Sequence, residues 1–145
     1  MAIKILAVDD SKTIRMVIQG AFRTYDCALS EAANGEEGLA LAAREKPDLI
    51  ILDIEMPVMD GVTMLGTLRR DPQLKATPVI LLSADSSREN VASMVTLGIS
   101  DYLVKPFKED TLLDAVRKVV PLAAKSVYAS KEHEVTETMR IPPRF

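Results

Sequence analysis

The sequence predicts a doubly wound α/β domain, a five-stranded parallel sheet with helices on both faces. Three observations carry this. Five short apolar runs recur along the chain, segments with helical spacing separate them, and two of the runs are almost unbroken Ile, Leu and Val. Unbroken apolar runs mark strands covered on both faces, and strict strand–helix alternation builds a parallel sheet with right-handed crossovers.

The first strand is "IKILAV" (3–8). Ile14, Val17, Ile18, Ala21 and Phe22 then fall at i, i+3, i+4, i+7 and i+8, the apolar stripe of an amphipathic helix. "CALSEA" (27–32) is the second strand, and "GEEGLALAARE" (35–45) after it is rich in helix formers. "DLIILD" (48–53) is the third, followed by Val62, Leu65 and Leu68 at every third position. "PVILLSA" (78–84) is the fourth; the helix expected over 86–98 carries Val91, Met94 and Val95 ahead of Gly98, a residue suited to the left-handed turn that ends a helix. "DYLV" (101–104) is the fifth, and Leu112, Leu113, Val116, Val119 and Val120 stripe a last helix over 108–120.

Pro121 closes the domain, which gives it the bounds 1–121. Residues 122–145 carry four basic and three acidic side chains, few large apolar ones, and finish "RIPPRF". They read as a tail, partly ordered or a linker remnant, with one more helical turn expected from Pro121 as its first residue. Such an end is either untethered or a docking segment for a partner or a second copy.

Composition narrows the function. The 145 residues fit one domain, and 48% apolar residues suffice for a core. A net charge of -3 gives no basic footprint for nucleic acid. Cys27 alone cannot form an internal disulfide, which fits a reducing compartment. No apolar segment approaches the ~20 residues a membrane helix needs, and "MAIKILAVDD" lacks the long apolar stretch of a signal peptide. The expectation is a soluble cytoplasmic protein without direct nucleic-acid or membrane contacts.

In a parallel sheet the strand ends gather at one edge, and there ligands bind. The first strand ends at Asp9-Asp10, the third at Asp53, the fourth at Ser83, and the fifth runs into Lys105-Pro106. Each has an ordinary reading alone: Asp9, Asp10 and Ser11 as helix caps, Asp53 as a turn residue, Ser83 as a common strand terminator, Lys105 as a solvated surface group. Together they bring three carboxylates, a hydroxyl and an ammonium to one place. Clustered carboxylates raise one another's pKa, which a divalent cation relieves. The whole set is complementary to a phosphoryl group, with one Asp as nucleophile and Mg²⁺ and Lys neutralising the transferring oxygens.

"AVDDS", "DLIILDIEMPVMDG", "VILLSAD" and "GISDYLVKPF" together resemble the receiver domain of bacterial response regulators, of the chemotaxis (CheY-like) type, over about residues 2–121. The resemblance implies strand order 2-1-3-4-5, five helices, and phosphotransfer from a sensor histidine kinase to Asp53. It implies Mg²⁺ (Mn²⁺ could substitute) on Asp10, Asp53 and the Glu55 backbone carbonyl, with Asp9 acting through water. Ser83 and Lys105 would bind phosphoryl oxygens, Lys105-Pro106 matches a cis peptide, and Ser83 and Tyr102 match the switch pair. Glu55 and Asp85, two residues after Asp53 and Ser83, occupy positions that tune dephosphorylation.

The implied protein is a phosphoacceptor that assists its own phosphorylation and dephosphorylation, not a turnover enzyme. Its output is a change in the face made by helix 86–98, strand 101–104 and helix 108–120, which binds an unidentified downstream protein. It would be a monomer or a homodimer promoted by phosphorylation. Two alternatives stand beside it. A phosphatase of the haloacid dehalogenase type shares the Asp, Mg²⁺, Ser/Thr and Lys set, but needs an Asp where Glu55 stands. A nucleotide or flavin binder needs a phosphate loop after the first strand, where "DDSKT" offers carboxylates instead.

Overall fold

The computed structural model describes residues 2–84 and 88–125. Within them the chain runs β1 (Ile3–Val8), α1 (Lys12–Phe22), β2 (Cys27–Ala32), α2 (Gly35–Glu45), β3 (Leu49–Asp53), α3 (Gly61–Arg70), β4 (Val79–Ser83), α4 (Arg88–Val95), β5 (Asp101–Val104) and α5 (Glu109–Arg117). All strand pairs are parallel, in the order β2-β1-β3-β4-β5.

The period-2 geometry of a strand divides the apolar residues cleanly between two faces. Ile5, Ala7, Leu49, Ile51, Ile80 and Leu82 join one core, with α1 and α5 packed over them through Ile18, Phe22, Leu112 and Val116. Leu6, Val8, Ile50, Leu52, Val79 and Leu81 join the other, under α2, α3 and α4 through Ala42, Met64, Leu68 and Met94. All five residues of β3 and all five of β4 are buried, whereas β2, at the sheet edge, is mostly half-buried.

Helix ends near the strand termini are capped by side chains. Ser11 Oγ accepts the Ile14 N–H at 3.2 Å, Asn34 Oδ1 that of Glu37 at 2.9 Å, and Asp60 Oδ1 that of Thr63 at 2.9 Å. Each satisfies a donor that the first helical turn leaves open.

The sequence expectation differs from the structure at three helical ends. α4 stops at Val95, not 98: the Leu97 and Gly98 N–H groups bond back to Met94 and Val95, and Gly98 takes φ 82°. This tightens the last turn out of α geometry. Arg69 ties that end to the segment before β4, donating to the carbonyls of Leu97 (2.7 Å) and Gly98 (2.7 Å) on one side and of Thr77 (2.9 Å) and Lys75 (3.1 Å) on the other. α5 stops at Arg117, although Val120 continues its apolar stripe into the core. No helical turn begins at Pro121. Instead the chain is extended there, Asp26 N–H donates to Ala123 O at 2.7 Å, Lys125 N–H to Thr24 O at 3.0 Å, and Tyr25 bridges Ala124. Pairing with the loop before β2 thus carries ordered packing to residue 125; residues 126–145 lie outside the described part.

Candidate functional site

Strand register delivers the site. Val8 pairs with Leu52, Asp53 with Leu82, and Ser83 with Val104. Asp9, Asp53, Ser83 and Lys105 therefore stand next to one another along the carboxyl edge of the sheet. Asp9 is fully buried, Asp53 is 4% exposed and Ser83 2%, while Asp10 is exposed.

Asp9 is tied down at several atoms. Its N–H donates to Ala32 O (3.0 Å), and its Oδ1 accepts the Ser11 N–H (2.9 Å). Its Oδ2 lies 2.9 Å from Lys105 Nζ and has no hydrogen-bond partner beyond that ammonium among the described residues. The same ammonium lies 3.1 Å from Asp53 Oδ1. One carboxylate oxygen from each of Asp9, Asp10 and Asp53 lies within 4.8 Å of the other two. The Lys105 N–H donates to Ser83 O at 2.7 Å, and the Lys105-Pro106 bond is cis, so backbone pairing holds the lysine against the end of β4.

The loop from Asp53 to α3 closes on itself. Gly61 N–H donates to Ile54 O at 2.7 Å, and a Cβ on Gly61 would stand 2.2 Å from the Asp53 carbonyl oxygen. Only glycine lets the start of α3 approach this closely.

Electrostatics follow from burial. Desolvation first, then the charge of Asp9, pushes the Asp53 carboxyl up to about 6, with Lys105 pulling back only in part. Burial pulls the Lys105 ammonium down, but its pairs with Asp9 and Asp53 outweigh that and hold it above the usual lysine range. An acidic group so poised fits a divalent cation: three carboxylates converge, one of them exposed, and the central one is costly to ionise without added positive charge.

The structure brings Asp9, Asp10, Asp53, Ser83 and Lys105 together. Glu55 is exposed on the adjoining loop. Tyr102 is 48% exposed and shares with Ser83, Val91, Val95 and Val104 the lining of an open depression of about 710 Å³. Val95 was expected in the core stripe of its helix and is 53% exposed here, because it faces this depression. Asp85 lies outside the described residues.

Two features of the site escape sequence reasoning. Arg15 donates from Nη1 to the Asp9 carbonyl at 2.6 Å, one helical turn past the acidic pair. Its position outside the apolar stripe of α1 is the signal that was available. Val58 adopts φ 66° and is 75% exposed. A β-branched residue in the left-handed region is a rare outlier that no local propensity forecasts.

Comparison with known proteins agrees with this geometry. Residues 5–117 match the response regulator receiver domain. Protein PilG of Pseudomonas aeruginosa is 34% identical over 119 residues, covering 82% of this chain and 88% of PilG. The sensor histidine kinase CheAY of Helicobacter pylori is 33% identical over 120 residues, which are 81% of this chain but 15% of that protein. The solved structure of the chemotaxis response regulator CheY4 of Vibrio cholerae superposes with a TM-score of 0.76 at 36% identity, over 83% of this chain and all of CheY4. The same domain thus occurs both nearly alone and as a small part of a longer protein. Among the described residues no helix is long and apolar enough to cross a membrane. With its five parallel strands in the order 2-1-3-4-5 and its matched span of 5–117, the chain belongs to the CheY-like receiver domains of response regulators.

Proposed function

We propose that Asp53 accepts a phosphoryl group from a phosphohistidine on a sensor kinase, and that the resulting acyl phosphate resets the α4–β5–α5 face. The observation that carries this is the bridge of one ammonium, Lys105 Nζ, between the buried carboxylates of Asp9 and Asp53. A cation so placed serves both the resting carboxylate and the phosphoryl oxygens that would replace its charge.

Asp10, Asp53 and the Glu55 backbone carbonyl would hold Mg²⁺, with Asp9 contributing through water; Mn²⁺ would fit the same oxygen donors. When bound, the cation neutralises charge on the attacking carboxylate and the transferring oxygens. Asp53 supplies the nucleophilic oxygen. Its bond to phosphorus forms as the phosphorus–nitrogen bond breaks, and the electron pair of that bond returns to the donor imidazole. Lys105 keeps Asp9 as an anchor and turns a donor toward a phosphoryl oxygen. Ser83 donates its hydroxyl proton to another. That draws Ser83 toward Asp53 and opens the depression beside it, into which Tyr102 turns.

Exposed Val95, Tyr102 and Val104 give this face an apolar surface for a downstream protein or for a second copy after phosphorylation. The kinase as donor is supported by similarity to a part of the sensor histidine kinase CheAY. The module does not turn over external substrate; it assists gain and loss of its own phosphoryl group, with Glu55 and Asp85 tuning the loss. The haloacid dehalogenase alternative has no support: this chain's own match is to the receiver domain, and its similarity runs to PilG and to the chemotaxis response regulator CheY4.

Incubation with Mg²⁺ and a small acyl phosphate, followed by intact mass measurement, tests this reading. A phosphoryl-sized gain in wild type and none in Asp53→Asn is expected. No gain from any donor in folded protein would contradict it.

A further inference from the structure

Asp10 is the exposed member of the acidic group and makes no hydrogen bond or ion pair among the described residues. Nothing holds its side chain directly, yet both peptide groups flanking its Cα are pinned. The peptide before it is held through the Asp9 carbonyl, which accepts Arg15 Nη1–H at 2.6 Å. The peptide after it is held through the Ser11 N–H, bonded to Asp9 Oδ1 at 2.9 Å. The Asp9 carbonyl lies just past Val8, the last paired residue of β1, so the sheet ladder does not fix it.

Arg15 is itself fixed. Its Nε donates to Glu31 Oε1 at 3.1 Å, and the second oxygen of Glu31 accepts from Gln19 one turn along α1. The Arg15 and Glu31 side chains are 18% and 27% exposed. The pair is part-buried, and it holds the guanidinium in the orientation that reaches the Asp9 carbonyl. A chain of contacts thus runs from Gln19 through Glu31 and Arg15 to the main chain that aims Asp10.

We propose that Arg15 is a positioning residue for the metal site, fixing the Asp9–Asp10 peptide so that the Asp10 carboxylate stands preset toward Asp53. This rests on the reading of Asp10 as a metal ligand. Groups that orient ligands from behind commonly carry about ten- to a hundredfold in metal affinity. The Arg15 side chain bonds the Asp9 carbonyl and Glu31, not Asp53, so its removal should act on cation binding rather than on the chemical step.

The test is calorimetric titration with Mg²⁺ of wild type, Arg15→Gln, Arg15→Lys and Glu31→Gln, alongside phosphorylation by a small acyl phosphate. Expected are about tenfold weaker Mg²⁺ binding in Arg15→Gln, a smaller loss in Glu31→Gln, and partial recovery in Arg15→Lys, which keeps one donor for the Asp9 carbonyl. Phosphorylation of Arg15→Gln should return to near the wild-type rate once Mg²⁺ saturates. The Asp10 and Ser11 amide resonances should shift in the metal-free variant. Should Arg15→Gln fail to fold, Glu31→Gln alone decides. Mg²⁺ affinities equal to wild type in folded variants overturn the proposal, as does a rate deficit that saturating Mg²⁺ leaves unrepaired. Absence of Mg²⁺ binding in wild type overturns the metal site itself, and is told apart because it needs no variant.

Discussion

The Lys105 ammonium lies 3.1 Å from Asp53 Oδ1 while the Asp53 carboxyl is still held near 6, well above its ordinary range. A direct ion pair normally favours the carboxylate, so burial and the neighbouring Asp9 outweigh it here. The pocket is therefore short of positive charge by design of its own packing, and its behaviour should depend on what supplies that charge.

Without a divalent cation, stability should fall as pH rises through this window. The folded state holds its Asp53 proton up to about pH 6, the unfolded state only to about 3.8. That contribution is complete below about 3.8 and is lost as pH passes 6. The Lys105 shift is also upward, so its own contribution persists throughout and is lost only at alkaline pH. Asp53→Asn should accordingly be more stable than wild type in chelator at pH 7.5, by up to ~3 kcal/mol, with the gap closing toward pH 4. Urea unfolding at both pH values checks this, and a gap of the same size at both would contradict it.

Lys105→Met should leave two buried carboxylates without their shared partner. Removing one member of a buried pair costs about 3–5 kcal/mol at its largest. In metal-free protein the loss should be greater at pH 7.5 than at pH 5, where protonation relieves the repulsion. Thermal melting in chelator at the two pH values measures it.

Gly61→Ala and Gly66→Ala should act in opposite directions. The first places a methyl 2.2 Å from the Asp53 carbonyl oxygen, against rigid backbone, and should displace the phosphoacceptor loop or prevent folding. The second meets only the flexible Arg70 Nη1 at 3.5 Å inside α3, and should stabilise by about 0.5–1 kcal/mol through helix propensity. Equilibrium unfolding of both variants distinguishes close approach from a general preference for glycine.

Val58→Gly should stabilise the protein by about 1–2 kcal/mol, because φ 66° strains a β-branched residue and the side chain is 75% exposed with little packing to lose. Denaturant midpoints of wild type and variant check it; a destabilised glycine variant would mean that the valine makes compensating contacts.

Legibility in the sequence followed how local each constraint was. β3 and β4 read clearly because both faces are buried and Ile, Leu and Val fill them without interruption. α2 read to its ends because Asn34 and Lys46, an N-cap with a side-chain bond and a left-handed C-cap, bound it locally. The site residues Asp9, Asp10, Asp53, Ser83 and Lys105 could be found because a parallel sheet brings strand ends together whatever the details. The bond from Arg15 to the Asp9 carbonyl could not, since it depends on where α1 packs. Nor could the early end of α4, set by Arg69 reaching across from α3, or the pairing of Ala123–Lys125 with the loop before β2. The last two join segments far apart in sequence, and periodicity carries no record of any of the three.

The most direct measurement is the chemical identity of residue 53 after phosphorylation. Wild-type protein is treated with Mg²⁺ and a small acyl phosphate, reduced with borohydride, digested and sequenced by mass spectrometry. An aspartyl phosphate is reduced to homoserine, so the account predicts homoserine at position 53 in the presence of Mg²⁺ and aspartate there in chelator. Homoserine at Asp9 or Asp10 instead, or equal conversion of Asp53 in chelator, would contradict it.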